Sequence, residues 1–414
     1  MINIQDKSKC CGCSACVQRC PKSCISLQED YEGFLYPYVN EEACVDCGLC
    51  EKVCPVLNQN QPHQPLVVYA AKNPNEEIRM KSSSGGIFSL LAEKIIQEGG
   101  VVFGAKFDEK WEVVHGYTET LEGLEAFRGS KYVQSRIRDS YRDVECFLKK
   151  GRKVLFSGTP CQIAGLKRYL RKEYENLLAV DFVCHGVPSP MIWRDYLNEK
   201  IRPLGVVGKN MVSPLSLKDM PVITGISFRD KRNGWKKFGF TVRGKSASKA
   251  DKNLVSLSVD DDTFIYESLD KNLYMQGFLK NFYLRPSCYM CKSKSGKSHS
   301  DITLGDFWGI QRVCQKIDDD KGVSLVTIYS SQGKTFYESL NADNVQTSYK
   351  DALKYNPSLE RSVSKTKLYS SFWDKFRENH LEAIGIIIDK TKPSLLKKLY
   401  AFLRVSLASL IRSI

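Results

Sequence analysis

The sequence predicts three parts in succession: a small α+β, cysteine-rich module over residues 1–57, a larger α/β domain with a mixed sheet over 66–330, and a helical C-terminal tail. Three observations carry this reading. A C-x-x-C-x-x-C-x-x-x-C-P run occurs twice before residue 56. From residue 66, strand-like and helix-like patterns alternate. From residue 376, the pattern is helical to the end of the chain. Residues 58–65, N-Q-N-Q-P-H-Q-P, have the composition of a linker, and residues 331–375 read as a C-terminal α/β extension ahead of the tail at 376–414.

Each part has its own chemistry. Ten of the sixteen cysteines fall before residue 55. A secreted disulfide scaffold would be a short chain behind a leader; this chain has 414 residues and begins M-I-N-I-Q-D-K-S-K, without an apolar core region. No apolar run approaches the roughly 18 residues of a spanning helix. A cytoplasmic protein, soluble or peripheral on the inner face of the membrane, with metal-ligating cysteines is expected. Residues 1–58 hold five Lys/Arg against eight Asp/Glu, a net of −3, so with a total of +14 the remainder carries +17. Such an imbalance suits internal docking or an anionic coenzyme. No nucleic-acid-binding motif accompanies the basic charge, so nucleic acid is not an expected partner.

The first run is Cys10, Cys13, Cys16 and Cys20 before Pro21; the second is Cys44, Cys47, Cys50 and Cys54 before Pro55. This is the bacterial ferredoxin pattern, in which three cysteines hold one four-iron cluster and the fourth ligates the other. Cluster one is therefore expected on Cys10, Cys13, Cys16 and Cys54, and cluster two on Cys44, Cys47, Cys50 and Cys20. Two zinc sites would not need identical runs each followed by proline. Cys11 and Cys24 fall outside the pattern and read as bystanders, with a register ambiguity at Cys10-Cys11.

In the body, L-V-V-Y-A-A-K at 66–72 reads as a buried strand. A helix opens after Ser82-Ser83-Ser84-Gly85-Gly86, with Phe88, Leu91, Ala92, Ile95 and Ile96 on its apolar stripe and Gly99-Gly100 as its stop. Strands follow at 101–107 and 153–158. Thr159-Pro160 has the form of an N-cap and first helical residue, the helix runs to about Tyr174, and 177–184 is the next strand. A strand at 323–329 and a helix at 333–340 add a third unit, while 205–265 reads as a strand-rich insertion. Within it, Gly239-F-T-V-R-Gly244-Lys245-Ser246 has P-loop spacing, but no apolar helical stripe follows, so nucleoside triphosphate binding is not expected.

Four further cysteines stand at informative places. Cys161 lies at a helix N-terminus, where the dipole favours thiolate; Cys184 ends a strand before His185-Gly186; Cys288-x-x-Cys291 is a chelating pair. Together they supply the ligands of a third four-iron cluster. Taken alone, Cys184 reads as a buried apolar residue, and the pair as a zinc site with His299 or Cys314. Cys146 and Cys314 read as unligated.

Ser83-Ser84-Gly85-Gly86, the segment Gly129 to Ser135, Ser157 to Gln162, Cys184-His185-Gly186, Cys288-x-x-Cys291 and Gly305-Asp306-Phe307-Trp308 occur in that order. The set resembles the beta subunit of coenzyme F-420 hydrogenase/dehydrogenase, with a ferredoxin fused in front, over roughly residues 1–330. The resemblance implies an iron–sulfur flavoprotein oxidoreductase: FAD beside a cluster, and electrons passed to a two-electron carrier such as the deazaflavin F-420 or to another conjugated small molecule. Many bacterial relatives belong to surface-polysaccharide gene clusters. By resemblance, FAD contacts fall on Ser84, Gly85, Gly86, Lys131, Tyr132, Gln134, Gly158, Thr159 and Gln162. The chemistry agrees: a glycine-rich helix start lets backbone N–H groups approach a pyrophosphate, and Lys131 can pair with phosphate or flavin carbonyls. No G-x-G-x-x-G is present, which disfavours a Rossmann site.

No catalytic acid or base is evident; His185 and Asp306 are candidates for which a structural role is the plainer reading. The chain contains no nickel–iron partner, so two classes of function stay open: a flavoenzyme with its own substrate, and an electron-transfer adaptor feeding a partner protein. In the tail, Ser394 could cap a helix whose stripe is Leu395, Leu399, Phe402, Leu403, Leu407, Leu410 and Ile414, with Lys397 and Arg404 opposite. From Lys390 onward there are six basic and no acidic side chains. This suits an anionic membrane face, at about 1 kcal/mol per basic residue, or a stripe packed on the body or on another protein of a complex.

Overall fold

The computed structural model describes residues 1–201, 222–245 and 263–391. The N-terminal module is built on an antiparallel hairpin of β1 (Ile25–Glu29) and β2 (Leu35–Val39). Two short helices, Ala15–Arg19 and Leu49–Lys52, occupy equivalent places in the two cysteine runs. Each is preceded by a left-handed residue, Ser14 (φ 62°) and Gly48 (φ 67°). The chain thus turns sharply after the second cysteine of each run.

The body's strands are β3 (Val67–Lys72), β4 (Val101–Phe107), β5 (Val113–Thr118), β6 (Val154–Gly158), β7 (Leu177–Phe182), β8 (Val222–Asp230), β9 (Gly239–Lys245), β10 (Thr263–Ser268), β11 (Ile302–Asp306), β12 (Ser324–Ile328) and β13 (Asp343–Thr347). Eight of them form one sheet in the order β13-β3-β12-β11-β7-β6-β4-β5. Its centre, β11, β7, β6 and β4, is parallel, and the pairs on either side are antiparallel. The central strands β6 and β7 are buried along most of their length, as parallel strands covered on both faces must be. Helix Ile87–Gln97 lays Ile87, Leu91, Ala92 and Ile95 against the sheet. The mixed sheet is the one expected.

Three details differ from expectation, and the strand-rich insertion without a P-loop agrees with it. β13 pairs with β3 inside this sheet, so residues 331–375 contribute to the body's own core layer. Residues 58–65 lie on the body: Asn60 Nδ2 donates to Lys297 O (3.0 Å) and His63 stacks on His299. Strands β8, β9 and β10 form a separate antiparallel sheet, and Gly239–Lys245 is its central strand, paired on both sides; a strand cannot be a phosphate-cradling loop. The C-terminal helices begin at Tyr369, as Tyr369–Asn379 and Glu382–Thr391, and bury Phe372, Trp373, Phe376, Ile384 and Ile387 in the core shared with Trp193 and Tyr274. The stripe from Ser394 to Ile414 lies outside the described residues. Among those described, no helix is long and apolar enough to cross a membrane.

The module is docked on the body. Gln18 accepts at Oε1 from Tyr141 N (3.0 Å), Arg142 Nε donates to Gln18 O (3.1 Å), and the buried Glu32 carboxylate accepts from Tyr369 O–H (2.7 Å). These contacts bring the first cysteine run, through Cys11, up to Cys161 of the body.

Candidate iron–sulfur and cofactor sites

The Cys10–Cys16 loop passes so close to the body that a Cβ on Gly12 would lie 2.7 Å from Gln134 Nε2 and 2.8 Å from Arg285 Nη1. Gly12 also has φ +72°, so only glycine is unstrained there. Burial, with Cys10 and Cys54 next in effect, pushes the Cys16 thiol up to about 12. Burial also raises Cys54, again with Cys10 nearby. At Cys13 a contact with the Cys11 thiol pulls the value down, but burial and the neighbouring Cys16 and Cys54 outweigh it. Cys10, Cys13, Cys16 and Cys54 therefore face one another.

Cys20, Cys44, Cys47 and Cys50 line a second small cavity. Cys24, read as a bystander, is in its wall: its sulfur is 3.4 Å from that of Cys20, and the Cys20 contact, then burial, lifts its thiol to about 11. The backbone N–H of Ile2 donates to Cys50 Sγ at 3.3 Å.

The third group is assembled from three elements. Cys161 follows β6 in the first turn of helix Pro160–Leu170. That turn is fixed by a capping box in which Thr159 N donates to Gln162 Oε1 (2.9 Å). Cys184 follows β7. Cys288 sits in the 3-10 turn Pro286–Met290 and accepts from Val187 N (3.4 Å), and Cys291 N donates to Ser362 Oγ (2.9 Å). Burial pushes Cys184 up to about 12 and raises Cys288 well above the usual thiol value, and each of the four feels others of the set or Cys11. The helix dipole does not make Cys161 a thiolate: its contact with the Cys11 thiol, and burial, drive its pKa well up. Cys11 touches both Cys13 and Cys161, so it bridges the first and third groups rather than standing apart.

Two buried cations test whether these thiols suit an anionic cluster. Arg285 donates Nε to Cys10 O (2.7 Å), Nη2 to Leu35 O (2.9 Å) and Cys10 Sγ (3.5 Å), and Nη1 to Gln134 Oε1 (3.0 Å). Lys294 Nζ donates to the carbonyls of Cys184 (2.6 Å), Ser358 (3.0 Å) and Arg361 (2.8 Å). Neither pairs with a carboxylate among the described residues. A buried cation without an anion is costly, and four thiolates around iron supply the missing negative charge. The donor sets fit the clusters.

Beside the third group, at the carboxyl ends of β6, β7 and β11, lies a cavity of about 440 Å³, in the size range of cofactor sites. Ser84, Gly86, Lys131, Tyr132, Gly158, Thr159 and Gln162 line it, and so does Cys184. Gly85 and Gln134 do not. Gly85 N donates to Ser324 Oγ (3.0 Å), and a Cβ there would overlap Ala71 O; its glycine serves the close approach of the loop to the sheet. Gln134 is turned the other way, donating Nε2 to Cys11 O (3.2 Å) as it accepts from Arg285. Gln162 spends its amide on the capping box and on Ser135 Oγ (2.9 Å), so it shapes the wall.

Lys131 Nζ donates to the carbonyls of Arg128 (3.1 Å) and Gly129 (3.2 Å), and burial lowers it to about 7. Two wall residues escaped sequence reading. His115 is buried, bonds Ser157 O through Nε2 (3.1 Å) and leaves Nδ1 without a partner. Arg229 pairs with Asp306 (2.8 Å), bonds Tyr132 O–H (3.2 Å) and leaves Nε unbonded. The signal for His115 was its place in V-V-H-G-Y-T, where strand alternation puts it on the face of Val113. Asp306 is held by Arg229 and by Trp235 Nε1 (2.8 Å), and His185 is oriented through Nε2 by Asn281 Oδ1 (2.7 Å). An unpaired lysine, an orphaned imidazole nitrogen and a glycine-rich helix start fit an anionic, hydrogen-bonding cofactor such as FAD.

Residues 151–351 match the family described as the C terminus of the coenzyme F420 hydrogenase/dehydrogenase beta subunit, and residues 9–58 match the 4Fe-4S dicluster domain. Over residues 151–351, just under half of its length, the chain is similar to this F420 hydrogenase/dehydrogenase family. It is 25% identical over 186 residues to the F subunit of the F(420)H(2) dehydrogenase of Methanosarcina mazei, a match covering 42% of this chain and 53% of that one. It also resembles ferredoxins, such as that of Mycolicibacterium smegmatis, 42% identical over 55 residues, 13% of this chain and 41% of the other. The chain thus spans about half, or less, of the length of these relatives. A chain of the F420-reducing [NiFe] hydrogenase complex from Methanosarcina barkeri aligns with a TM-score of 0.42 at 14% identity, over 80% of this chain and 94% of that one. The chain is accordingly an iron–sulfur protein related to oxidoreductase subunits, with a ferredoxin-type domain in front of its α/β body.

Proposed function

We propose that the protein is an iron–sulfur flavoenzyme that passes single electrons from its two ferredoxin clusters, through a third cluster on Cys161, Cys184, Cys288 and Cys291, to FAD in the adjoining cavity. FAD, when bound, converts one-electron arrivals into two-electron transfer to a deazaflavin of the F-420 type or to another conjugated small molecule, with surface-polysaccharide biosynthesis as one setting for the latter. The observation that carries this is the position of Cys184, which belongs to the third cysteine group and also lines the cavity. Cluster and cofactor would share a wall.

The chain's own residues have definite parts. Lys131 supplies a cation for phosphate or a flavin carbonyl, and the N-terminus of helix Ile87–Gln97 supplies backbone N–H groups. His115 forms part of the cavity wall with Nε2 committed to Ser157 O, which leaves its buried Nδ1 as the acceptor nitrogen. Arg229, fixed by Asp306, lines the same cavity as a permanent positive charge.

The test is anaerobic purification of the full chain, iron and zinc analysis, and chromatography of the acid-released cofactor. About twelve iron and one FAD per chain are expected. Zinc at Cys288 and Cys291 removes the third cluster from the scheme; FMN or no flavin after reconstitution removes FAD. Clusters without a flavin make the chain an adaptor for a partner enzyme.

A further inference from the structure

Arg285 stands between two of the cysteine groups. It is 1% exposed, lies three residues before Cys288, and directs every N–H given above at the ferredoxin module or at Gln134. The faces of Tyr36 and Phe34 close over the guanidinium, at 4.3 Å and 5.4 Å from the ring centroids. Gln134 completes the fixture by bonding Cys11 O. A clamp between module and body would need only the carbonyl contacts. This fork also points Nη2 at Cys10 Sγ, 3.5 Å away.

The charge has a consequence for electron affinity. Reducing a four-iron cluster adds one negative charge to a site that is already anionic. A fixed cation and an N–H donor at a ligating sulfur favour that state, and both are established determinants of cluster potential. The aromatic lid and the burial keep water from screening the effect. Lys294 is placed otherwise: its ammonium is saturated by three carbonyls, on the Cys184 side.

We infer that Arg285 is a positioning residue for electron transfer, holding a fixed positive charge and an N–H against Cys10 and so raising the reduction potential of the cluster that Cys10 binds. The inference rests on the cluster assignment proposed above. It makes cluster one easier to reduce than it would be without Arg285, on the side facing the third cysteine group.

The test uses the full-length holoprotein, titrated anaerobically with dithionite and followed by electron paramagnetic resonance, after iron analysis. In Arg285→Gln, one midpoint should fall far enough to leave at least tenfold less reduced cluster at a fixed solution potential, or about 59 mV for a one-electron couple. Arg285→Lys keeps the charge but loses the fork, and should lower the same midpoint by less. Lys294→Gln should leave that midpoint in place. Unmoved midpoints in the Arg285 variants that retain iron overturn the inference and leave Arg285 a clamp. Loss of cluster-one iron from both Arg285 variants also counts against it, because a charge that only tunes a potential is not needed for assembly. Wild-type protein without iron would instead overturn the cluster assignment itself.

Discussion

Lys131 and His115 face the same cavity, and burial acts on both in the same direction, yet their consequences differ. In the cofactor-free protein burial lowers Lys131 to about 7, so its ammonium is lost as pH rises through that value. An anionic cofactor binds the protonated form. Flavin affinity for apoprotein should therefore weaken as pH rises from about 7 to about 8.5, and Lys131→Met should bind roughly tenfold more weakly and without this dependence. Fluorescence titration at several pH values checks it; a flat wild-type profile would contradict the assignment. For His115, burial lowers the pKa from 6.5 to about 4. The unfolded chain takes up a proton near 6.5 and the fold does not until about 4. Stability is thus complete above the unfolded value and is lost as pH falls toward the folded one. The loss by about pH 5 should be about 2 kcal/mol. Denaturant unfolding at about pH 7.5 and about pH 5 should show this loss in wild type and its absence in His115→Gln; equal losses in the two proteins would refute it.

At the scale of elements, the helix starts hold the cavity together. The loop before helix Ile87–Gln97 is tied by Lys231 Nζ, which donates to the carbonyls of Arg79 (2.7 Å), Ser84 (2.9 Å) and Lys321 (2.7 Å). A methyl at Gly85 would collide with Ala71 O and the Ser324 backbone. Gly85→Ala should destabilise the body by about 2 kcal/mol and weaken flavin binding although Gly85 does not line the cavity; thermal unfolding and flavin content measure the two effects, and a neutral variant would show that the loop can shift freely. The same elements show what was legible in the sequence. β6, β7 and the Thr159-Pro160 helix start could be read because their signals are local: an apolar run, a cap residue, a proline. β13 could not, because Asp343–Thr347 is a largely exposed, polar edge strand without alternation. The grouping of Cys10, Cys13 and Cys16 and of Cys44, Cys47 and Cys50 was legible from spacing alone. Gln134 was misplaced because an ordered motif gives sequence position but not the side to which an extended residue turns. Cys11 and Cys24 were set aside because a spacing pattern carries no information about sulfurs brought alongside by tertiary docking.

At the scale of the whole molecule, the docked module and the body place three cysteine groups and one cavity in series. Cys50 is sensed at Cys16 and Cys54, which relates the second group to the first. Cys11 relates the first to the third, and Cys184 relates the third to the cavity. Such a series makes Cys184 the point at which one substitution separates donor from acceptor. Cys184→Ser should lower iron from about twelve to about eight per chain, since a four-iron cluster needs its four ligands, and leave the two ferredoxin clusters intact. The cavity keeps Lys131, His115 and the helix start, so flavin should still bind in near-stoichiometric amount. What should fail is the connection: after rapid mixing with dithionite, cluster bleaching should proceed as in wild type, while electron delivery from clusters to flavin slows by about a hundredfold or more, the removed cluster having been the step between them. Stopped-flow absorbance separates the two signals. Flavin reduction at the wild-type rate in a variant that has lost a third of its iron would mean that electrons reach the cavity without passing Cys184, and the serial arrangement would be wrong.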